Sequence, residues 1–145
     1  ESVCRDAGYT VDCLDVERAL KLYQDTKEMC GGSFPRLRPE TIEYSRYLLD
    51  LAGDGDKILG HLYTWHLGDL HGGQMIKKVA PSSGRMYDFE NRKELIDAIR
   101  PMLTEDMGDE ANKCFDFVIN LFSELENEYT NLSNETKNYL RSISS

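Results

Sequence analysis

The sequence predicts an all-α domain, and three observations support this prediction. Apolar residues recur every three or four positions over five segments, which is the period of an amphipathic helix. No stretch alternates apolar and polar residues as a half-buried strand would. The chain has 145 residues, of which 40% are hydrophobic and 30% charged, as in an ordinary single globular domain. We expect one helical domain over residues 1–130, followed by a polar tail over residues 131–145.

The first two predicted helices are short. The first runs from about Val16 to Met29 and ends at Gly31-Gly32. Its residues Leu20, Tyr23 and Lys27 lie along one stripe. The second runs from Pro39, a residue that suits a first helical turn, to about Ala52. Its predicted inner face consists of Tyr44, Tyr47, Leu48 and Leu51.

The third predicted helix runs from about Lys57 to Val79 and contains Gly68, Gly72 and Gly73. Each glycine inside a helix costs about 0.5–1 kcal/mol relative to alanine. Three glycines so close together are a poor way to build a helix with only a structural role. This segment is therefore the first place to look for function.

Two further helices complete the predicted fold. The fourth runs from about Asn91 to Leu103, and Pro101 should end or kink it. The fifth runs from about Glu105 to Tyr129. Its apolar positions keep helical spacing: Ala111, Phe115, Val118, Phe122, Leu125 and Tyr129.

Composition excludes several functions and locations. A net charge of −9 argues against nucleic-acid binding, which requires basic residues to neutralise phosphate. No apolar run approaches the roughly 18 residues of a membrane span, so we expect no membrane partner. The first residues show no secretory signal, which predicts a cytoplasmic protein. Cysteines stand at positions 4, 13, 30 and 114 without C-x-x-C spacing, so free thiols are expected.

Gly68 and Gly72 lie one turn apart, on the helix face that also carries His61 and Trp65. Together they leave a patch of backbone without side chains, against which a large planar ligand could lie. Asp69 sits beside this patch and is the only carboxylate between Asp56 and Asp88. The alternatives are that the glycines allow close helix packing and that Asp69 is a solvated helix acid.

The three histidines of the chain, His61, His66 and His71, could be metal ligands. On a straight helix, however, His66 and His71 turn away from His61 in opposite senses. Because they cannot converge on one ion, we expect no metal site formed by these side chains.

Four motifs in this segment strongly resemble the distal helix of heme oxygenases: Leu62-Tyr63-Thr64, Leu67-Gly68-Asp69-Leu70, Gly72-Gly73-Gln74 and Lys77-Lys78. The stretch from Arg46-Tyr47-Leu48 to Gly60-His61 resembles the helix and turn that lead into it. Asp109-Glu110-Ala111-Asn112, Phe115 and Leu121-Phe122-Ser123-Glu124-Leu125 resemble the last core helix. The resemblance covers about residues 16–129.

The resemblance implies a multi-helical bundle that holds heme between two helices. It also implies oxidative opening of heme to biliverdin, carbon monoxide and ferrous iron. Heme is then both substrate and cofactor, and a ferredoxin or a reductase supplies the electrons. In this comparison Gly68 and Gly72 match glycines over the distal heme face, and Asp69 matches the aspartate that orders a proton-delivering water chain.

Three further residues match the heme surroundings of the family. Tyr63 corresponds to a residue near a heme propionate, and Arg100 resembles the basic propionate partner on the following helix. Phe115 corresponds to an aromatic residue that lines the pocket. The alternatives are a solvated side chain for Arg100 and plain core packing for Phe115.

The sequence also departs from the family. No residue matches the histidine that ligates iron from the first helix, so either the first helices of the fold are absent from this chain or the chain is a divergent relative. Trp65 replaces an arginine, His71 a serine and His66 a tyrosine. These departures leave two other functions open: a heme-binding module without turnover, and a helical interaction protein that keeps the fold.

Overall fold

The computed structural model describes residues 18–143, and over this range it contains helices and turns but no strand. This confirms the predicted all-α class for the described residues. Two short 3-10 helices, Arg85–Tyr87 and Arg100–Met102, stand between the longer elements. The α-helices of the described range are α1 (Arg18–Met29), α2 (Pro39–Asp50), α3 (Gly55–Lys77), α4 (Arg92–Ile99) and α5 (Met107–Ile143).

The glycine-rich segment lies within one continuous helix, as the sequence predicts. Helix α3 is 23 residues long, and all the glycines from Gly68 to Gly73 belong to it. It begins after Asp54, whose side chain accepts a hydrogen bond from the backbone N–H of Lys57 at 3.3 Å. The predicted start of the first helix at Val16 lies outside the described residues.

Two helix ends differ from the prediction. Helix α4 stops at Ile99 rather than Leu103, because Pro101 cannot continue the α-helical hydrogen bonding and the chain forms a 3-10 turn there. Helix α5 continues to Ile143 instead of ending near Tyr129. The segment expected as a polar tail is therefore helical up to that residue, and it contains no glycine or proline that would stop a helix.

The core forms where the first half of α3 packs against α5. The buried cluster consists of Ile58, Leu59, Leu62, Ile99 and Met107. Gly60 allows the two helices to approach closely, since a Cβ at this position would lie 2.9 Å from the backbone oxygen of Met107. The close packing that the sequence suggested for Gly68 and Gly72 thus occurs at Gly60.

Helix α1 is held by polar contacts rather than by an apolar stripe. Its Leu20 and Tyr23 are exposed, whereas its buried residues are Arg18 and Asp25. Asp25 accepts hydrogen bonds from the Arg85 guanidinium and from the backbone N–H of Met86, each at 3.0 Å. Charge pairs therefore dock this helix onto the 85–89 segment.

The inward face of α5 also differs from the predicted stripe. Phe115, Phe122 and Tyr129 are exposed, while Glu110 and Cys114 are buried against α3. Cys30 and Cys114 are free thiols, and the other two cysteines of the sequence lie outside the described residues. Within the described range, none of the helices combines the length and the apolar character that a membrane-spanning segment requires.

Candidate functional site

The patch formed by Gly68 and Gly72 is open. A Cβ built on either glycine would meet no heavy atom of residues 18–143 within 4 Å. Trp65, Met75 and Ile76, at neighbouring positions of the same stripe, are large apolar side chains that remain exposed. The described residues thus leave a flat, largely apolar face on the second half of α3, where a planar molecule can approach the helix backbone.

Gly73 belongs to the packed side of the same helix. A Cβ at this position would collide with the ring of Tyr87. The side chain of Gln74 donates a hydrogen bond to the backbone oxygen of Tyr87 at 2.6 Å. The 85–89 segment is therefore fixed against this side of α3. Gly73 thus packs against protein, whereas its neighbour Gly72 belongs to the open patch.

Asp69 is not a solvated helix acid. Its Oδ2 forms an ion pair with Nη2 of Arg18 on α1, and the two side chains are only 16% and 9% exposed, respectively. Arg18 also donates from Nε to the backbone oxygen of Met86 at 3.2 Å, and its guanidinium lies 4.9 Å from the ring centroid of Phe89. The carboxylate is consequently held in one position beside the glycine patch.

His61 lies in the interface between α3 and α5 and has both ring nitrogens engaged. Nδ1 lies 3.1 Å from the hydroxyl of Tyr44, and Nε2 lies 3.1 Å from a carboxylate oxygen of Glu110. Burial lowers the pKa of His61 more than the neighbouring carboxylate raises it, which favours the neutral ring. A neutral ring that donates from Nε2 to Glu110 and accepts from Tyr44 satisfies both contacts.

Glu110 is the acceptor at the centre of this buried network. Tyr47 donates to its Oε2 at 2.7 Å, and Lys113 donates to its Oε1 at 2.7 Å. Burial alone would raise the pKa of Glu110, but the hydrogen bonds from Lys113, Tyr47 and His61 lower it below its usual value. At the other end, the indole Nε1 of Trp65 donates to Tyr44 at 2.9 Å. The network therefore fixes Trp65 at the edge of the glycine patch.

His66 faces another side of α3. Its Nδ1 lies 3.0 Å from the backbone oxygen of Leu62, whereas its buried Nε2 has no hydrogen-bond partner in the part of the chain that the structure describes. Burial, together with the nearby charge of Arg18, lowers the pKa of His66 to about 4. His71 is exposed. The three histidines do not converge, and the described residues contain no cluster of side chains suited to a metal ion.

The remaining predicted site residues are spread over three elements. Tyr63 is half-buried and packs against the core cluster. Arg100 is exposed at the start of the 3-10 turn after α4. Phe115 is 53% exposed on α5, so plain core packing does not describe it. Their roles toward a ligand stay predictions, whereas Gly68, Asp69 and Gly72 lie together on one stretch of helix.

A small cavity adjoins the patch. Its volume is about 140 Å³, well below the several hundred Å³ of a typical cofactor site. A molecule as large as a porphyrin therefore does not enter it and would have to lie on the open glycine face. The cavity is lined by Glu40, Thr41, Tyr44, Trp65, Phe117, Val118 and Leu121.

Comparisons with known proteins agree on one family. A sequence profile of the heme oxygenase family matches residues 16–94. Heme oxygenase 2 of Macaca fascicularis is 30% identical over 85% of this chain and 47% of its own length. Heme oxygenase 1 of Bos taurus is 29% identical over 77% of this chain and 47% of its own length. The chain belongs to the heme oxygenase family.

The match is partial in one respect. The chain spans about half the length of these two curated relatives. Heme oxygenase 2 of Mus musculus is 34% identical, over 54% of this chain and 32% of its own length. No solved structure is significantly similar to the chain.

Proposed function

We propose that this chain forms the distal side of a heme oxygenase site, at which heme is opened to biliverdin, carbon monoxide and ferrous iron. One observation carries the proposal. The open face of Gly68 and Gly72 lies directly beside a fixed carboxylate, Asp69, within the segment that matches the family profile.

The described residues suit one face of a heme. A porphyrin is flat and apolar over most of its surface, and the two glycines let it approach the α3 backbone without meeting a Cβ. Trp65 borders the patch and is held by its hydrogen bond to Tyr44, so its indole can pack against the edge of the macrocycle. Tyr63, Arg100 and Phe115 are proposed as further contacts with the propionates and the pocket wall.

Heme supplies the iron at which dioxygen is activated, and the chain supplies proton handling. Asp69 accepts hydrogen bonds but, when ionised, donates none. A water that donates one hydrogen to this carboxylate would keep its second hydrogen free for donation, and the reaction needs a proton. Oxygen activation also consumes electrons, so the proposed partners are heme and an electron donor such as a ferredoxin or a reductase.

Two of the histidines of α3 are poorly placed to ligate iron at the glycine patch. Both ring nitrogens of His61 are engaged, so ligation of iron through either nitrogen would break its buried contact with Tyr44 or with Glu110. His66 is buried away from the patch and bonded at Nδ1. We therefore propose that the ligand is a group other than these two side chains.

A second candidate function follows from the same observation. All three histidines of the chain lie between residues 61 and 71, and none matches the family's iron ligand. A chain without that ligand would bind heme on the glycine face without turning it over. The two candidates share a binding site and differ in the reaction.

A hemin titration followed by a single-turnover reaction tests both. The chain is mixed with hemin and imidazole, which can stand in for a histidine ligand, and a reductant is added in air. Loss of the Soret band with formation of biliverdin supports the enzyme. Hemin binding that Gly72→Leu abolishes, without biliverdin in the wild type, supports the binding module. Equal hemin affinity in wild type and Gly72→Leu contradicts both.

A further inference from the structure

The cation that holds Asp69 comes from a different helix. Helix α3 contains no lysine or arginine between Lys57 and Lys77, so it provides no cation within a turn of Asp69. Arg18 of α1 supplies the guanidinium, although it stands 51 residues earlier in the sequence. Its side chain is 9% exposed, which makes this a largely desolvated pair rather than a surface contact.

Arg18 is itself held on three sides. Nη2 pairs with Asp69, Nε donates to the backbone oxygen of Met86 at 3.2 Å, and the guanidinium lies over the ring of Phe89. A guanidinium is rigid and planar, so the contacts with Met86 and Phe89 together fix the direction in which Nη2 meets Asp69. The position of the Asp69 carboxylate is therefore determined by the 85–89 segment through Arg18.

The two oxygens of Asp69 have different surroundings. Oδ2 is occupied by Arg18, whereas Oδ1 has no hydrogen-bond partner among the described residues. Oδ1 is thus the oxygen of this carboxylate to which we assign a bound water. Without Arg18, the carboxylate could rotate about its side-chain torsions, and neither oxygen would have a fixed direction.

We infer that Arg18 is a positioning residue for the proposed reaction: it locks Oδ2 so that Oδ1 is the single water acceptor beside the glycine patch. The inference rests on the proposed function, because it concerns the same carboxylate. It adds a residue outside the glycine motif whose effect on turnover is exerted only through Asp69.

A purely structural role is the competing explanation, since Arg18 also ties α1 to the rest of the molecule. The chain offers a matched control. Arg85 forms ion pairs with Asp25 and Glu28 of α1, so it ties the same helix to the same segment without touching Asp69. Arg18→Gln and Arg85→Gln each remove one such tie, and only the first alters the surroundings of Asp69.

The experiment compares Arg18→Gln, Arg18→Lys, Arg18→Ala and Arg85→Gln in the full chain with hemin, imidazole and a reductant. We expect Arg18→Gln to slow single-turnover biliverdin formation about 10- to 100-fold, as misplacement of a reacting group does, with hemin affinity within about 2-fold of wild type. The rate of biliverdin formation in Arg18→Lys should lie between the rates of the wild type and Arg18→Gln, because lysine keeps the charge and lacks the planar donors of the guanidinium. In Arg18→Ala, added guanidinium ions should restore part of the rate.

Each outcome decides the inference. Equal slowing by Arg18→Gln and Arg85→Gln, without rescue by guanidinium, would show that Arg18 is only a structural tie. Wild-type turnover in a folded Arg18→Gln or Arg18→Lys protein would overturn the inference while leaving the proposed function intact. Absence of biliverdin in the wild type would refute the proposed function itself, and the positioning role with it.

Discussion

At the scale of single residues, Asp69 is the most informative position. Asp69→Asn keeps the size of the side chain, so hemin affinity should change little. The amide presents a single acceptor oxygen and weakens the pair with Arg18, so the water would be oriented differently. We expect single-turnover biliverdin formation to fall by about 10²- to 10⁴-fold, the usual contribution of an acid–base group. Loss of the Soret band and growth of biliverdin absorbance measure this rate.

Asp88 provides the matched control for Asp69. It also pairs with a basic side chain, Lys77, but lies outside the glycine patch. Asp88→Asn should therefore leave turnover unchanged. If the two asparagine variants behaved alike, the carboxylate of Asp69 would have no specific part in the reaction.

His66 gives a prediction about pH. The folded protein holds the pKa of His66 at about 4, below the usual value of 6.5, because burial disfavours the charged ring. The unfolded chain therefore binds the proton more readily between these two values, and stability contributed by the neutral ring is lost as pH falls below about 6.5. Between pH 7 and pH 5 this site alone should lower the free energy of unfolding by about 2 kcal/mol. Urea unfolding at the two pH values measures it.

Replacement of His66 should remove this pH dependence. In His66→Gln the difference between pH 7 and pH 5 should shrink by about 2 kcal/mol, whatever the absolute stability of the variant. His71→Gln, at an exposed position, should keep the wild-type difference. If the free energy of unfolding of His66→Gln fell between pH 7 and pH 5 by as much as in the wild type, another group would cause the acid sensitivity.

The sequence predicted the site residues of α3, but it did not predict those that come from other helices. The spacing of Gly68, Asp69 and Gly72 is local, so a single helix brings them together. Arg18 joins the same site from 51 residues away, and nothing in the pattern around it marks an inward-facing cation. Glu110 is hidden for the same reason, because an acid next to Asp109 gives no sign that it is buried and hydrogen-bonded to Tyr47 and His61.

At the scale of elements, α3 combines two kinds of glycine that its sequence does not distinguish. Gly72 is open, so Gly72→Ala should stabilise the protein by about 0.5–1 kcal/mol through better helix propensity. Gly60 faces the backbone of Met107, and Gly73 faces the ring of Tyr87. Gly60→Ala and Gly73→Ala should therefore destabilise by about 1–3 kcal/mol, as overpacking does. Urea unfolding of the three variants at pH 7 tests the contrast.

If Gly72→Ala destabilised the protein, Gly72 would also pack against protein. Gly68→Ala serves as the internal check, since a Cβ there also meets none of the described residues within 4 Å. The two open glycines should respond alike in stability. A destabilised Gly68→Ala with a stabilised Gly72→Ala would limit the open face to the later turn.

The spacing of apolar residues predicted the helices, but it predicted less well which face of each helix is buried. The half-buried side of α2 was predicted because Tyr44, Tyr47 and Leu48 recur at helical spacing. Helix α1 buries Arg18 and Asp25 instead of Leu20, since its contacts are ion pairs, which a hydrophobic pattern cannot indicate. In α5 the exposed stripe of Phe115, Phe122 and Tyr129 is as apolar as the buried side, so periodicity alone could not choose between them.

At the scale of the whole molecule, large apolar side chains stay exposed on two of the long helices. Trp65, Met75 and Ile76 extend along α3, and Phe115 and Phe122 along α5. The chain spans about half the length of its curated relatives. A ligand that covers part of this surface binds only the folded chain, so its binding must raise the stability of the whole domain.

The link between hemin binding and stability can be measured. Hemin at ten times its dissociation constant should raise the free energy of unfolding by about 1.4 kcal/mol, measured as a shift of the urea midpoint at constant hemin. Gly72→Leu should abolish the shift while leaving the ligand-free protein folded, because the new side chain projects into open space where the porphyrin would lie. His61→Gln breaks the contacts with Tyr44 and Glu110 and so lowers stability without hemin, but it should keep the shift, since the ring is not the proposed ligand. A shift that Gly72→Leu retains and His61→Gln loses would place the heme at His61 and rule out the glycine face.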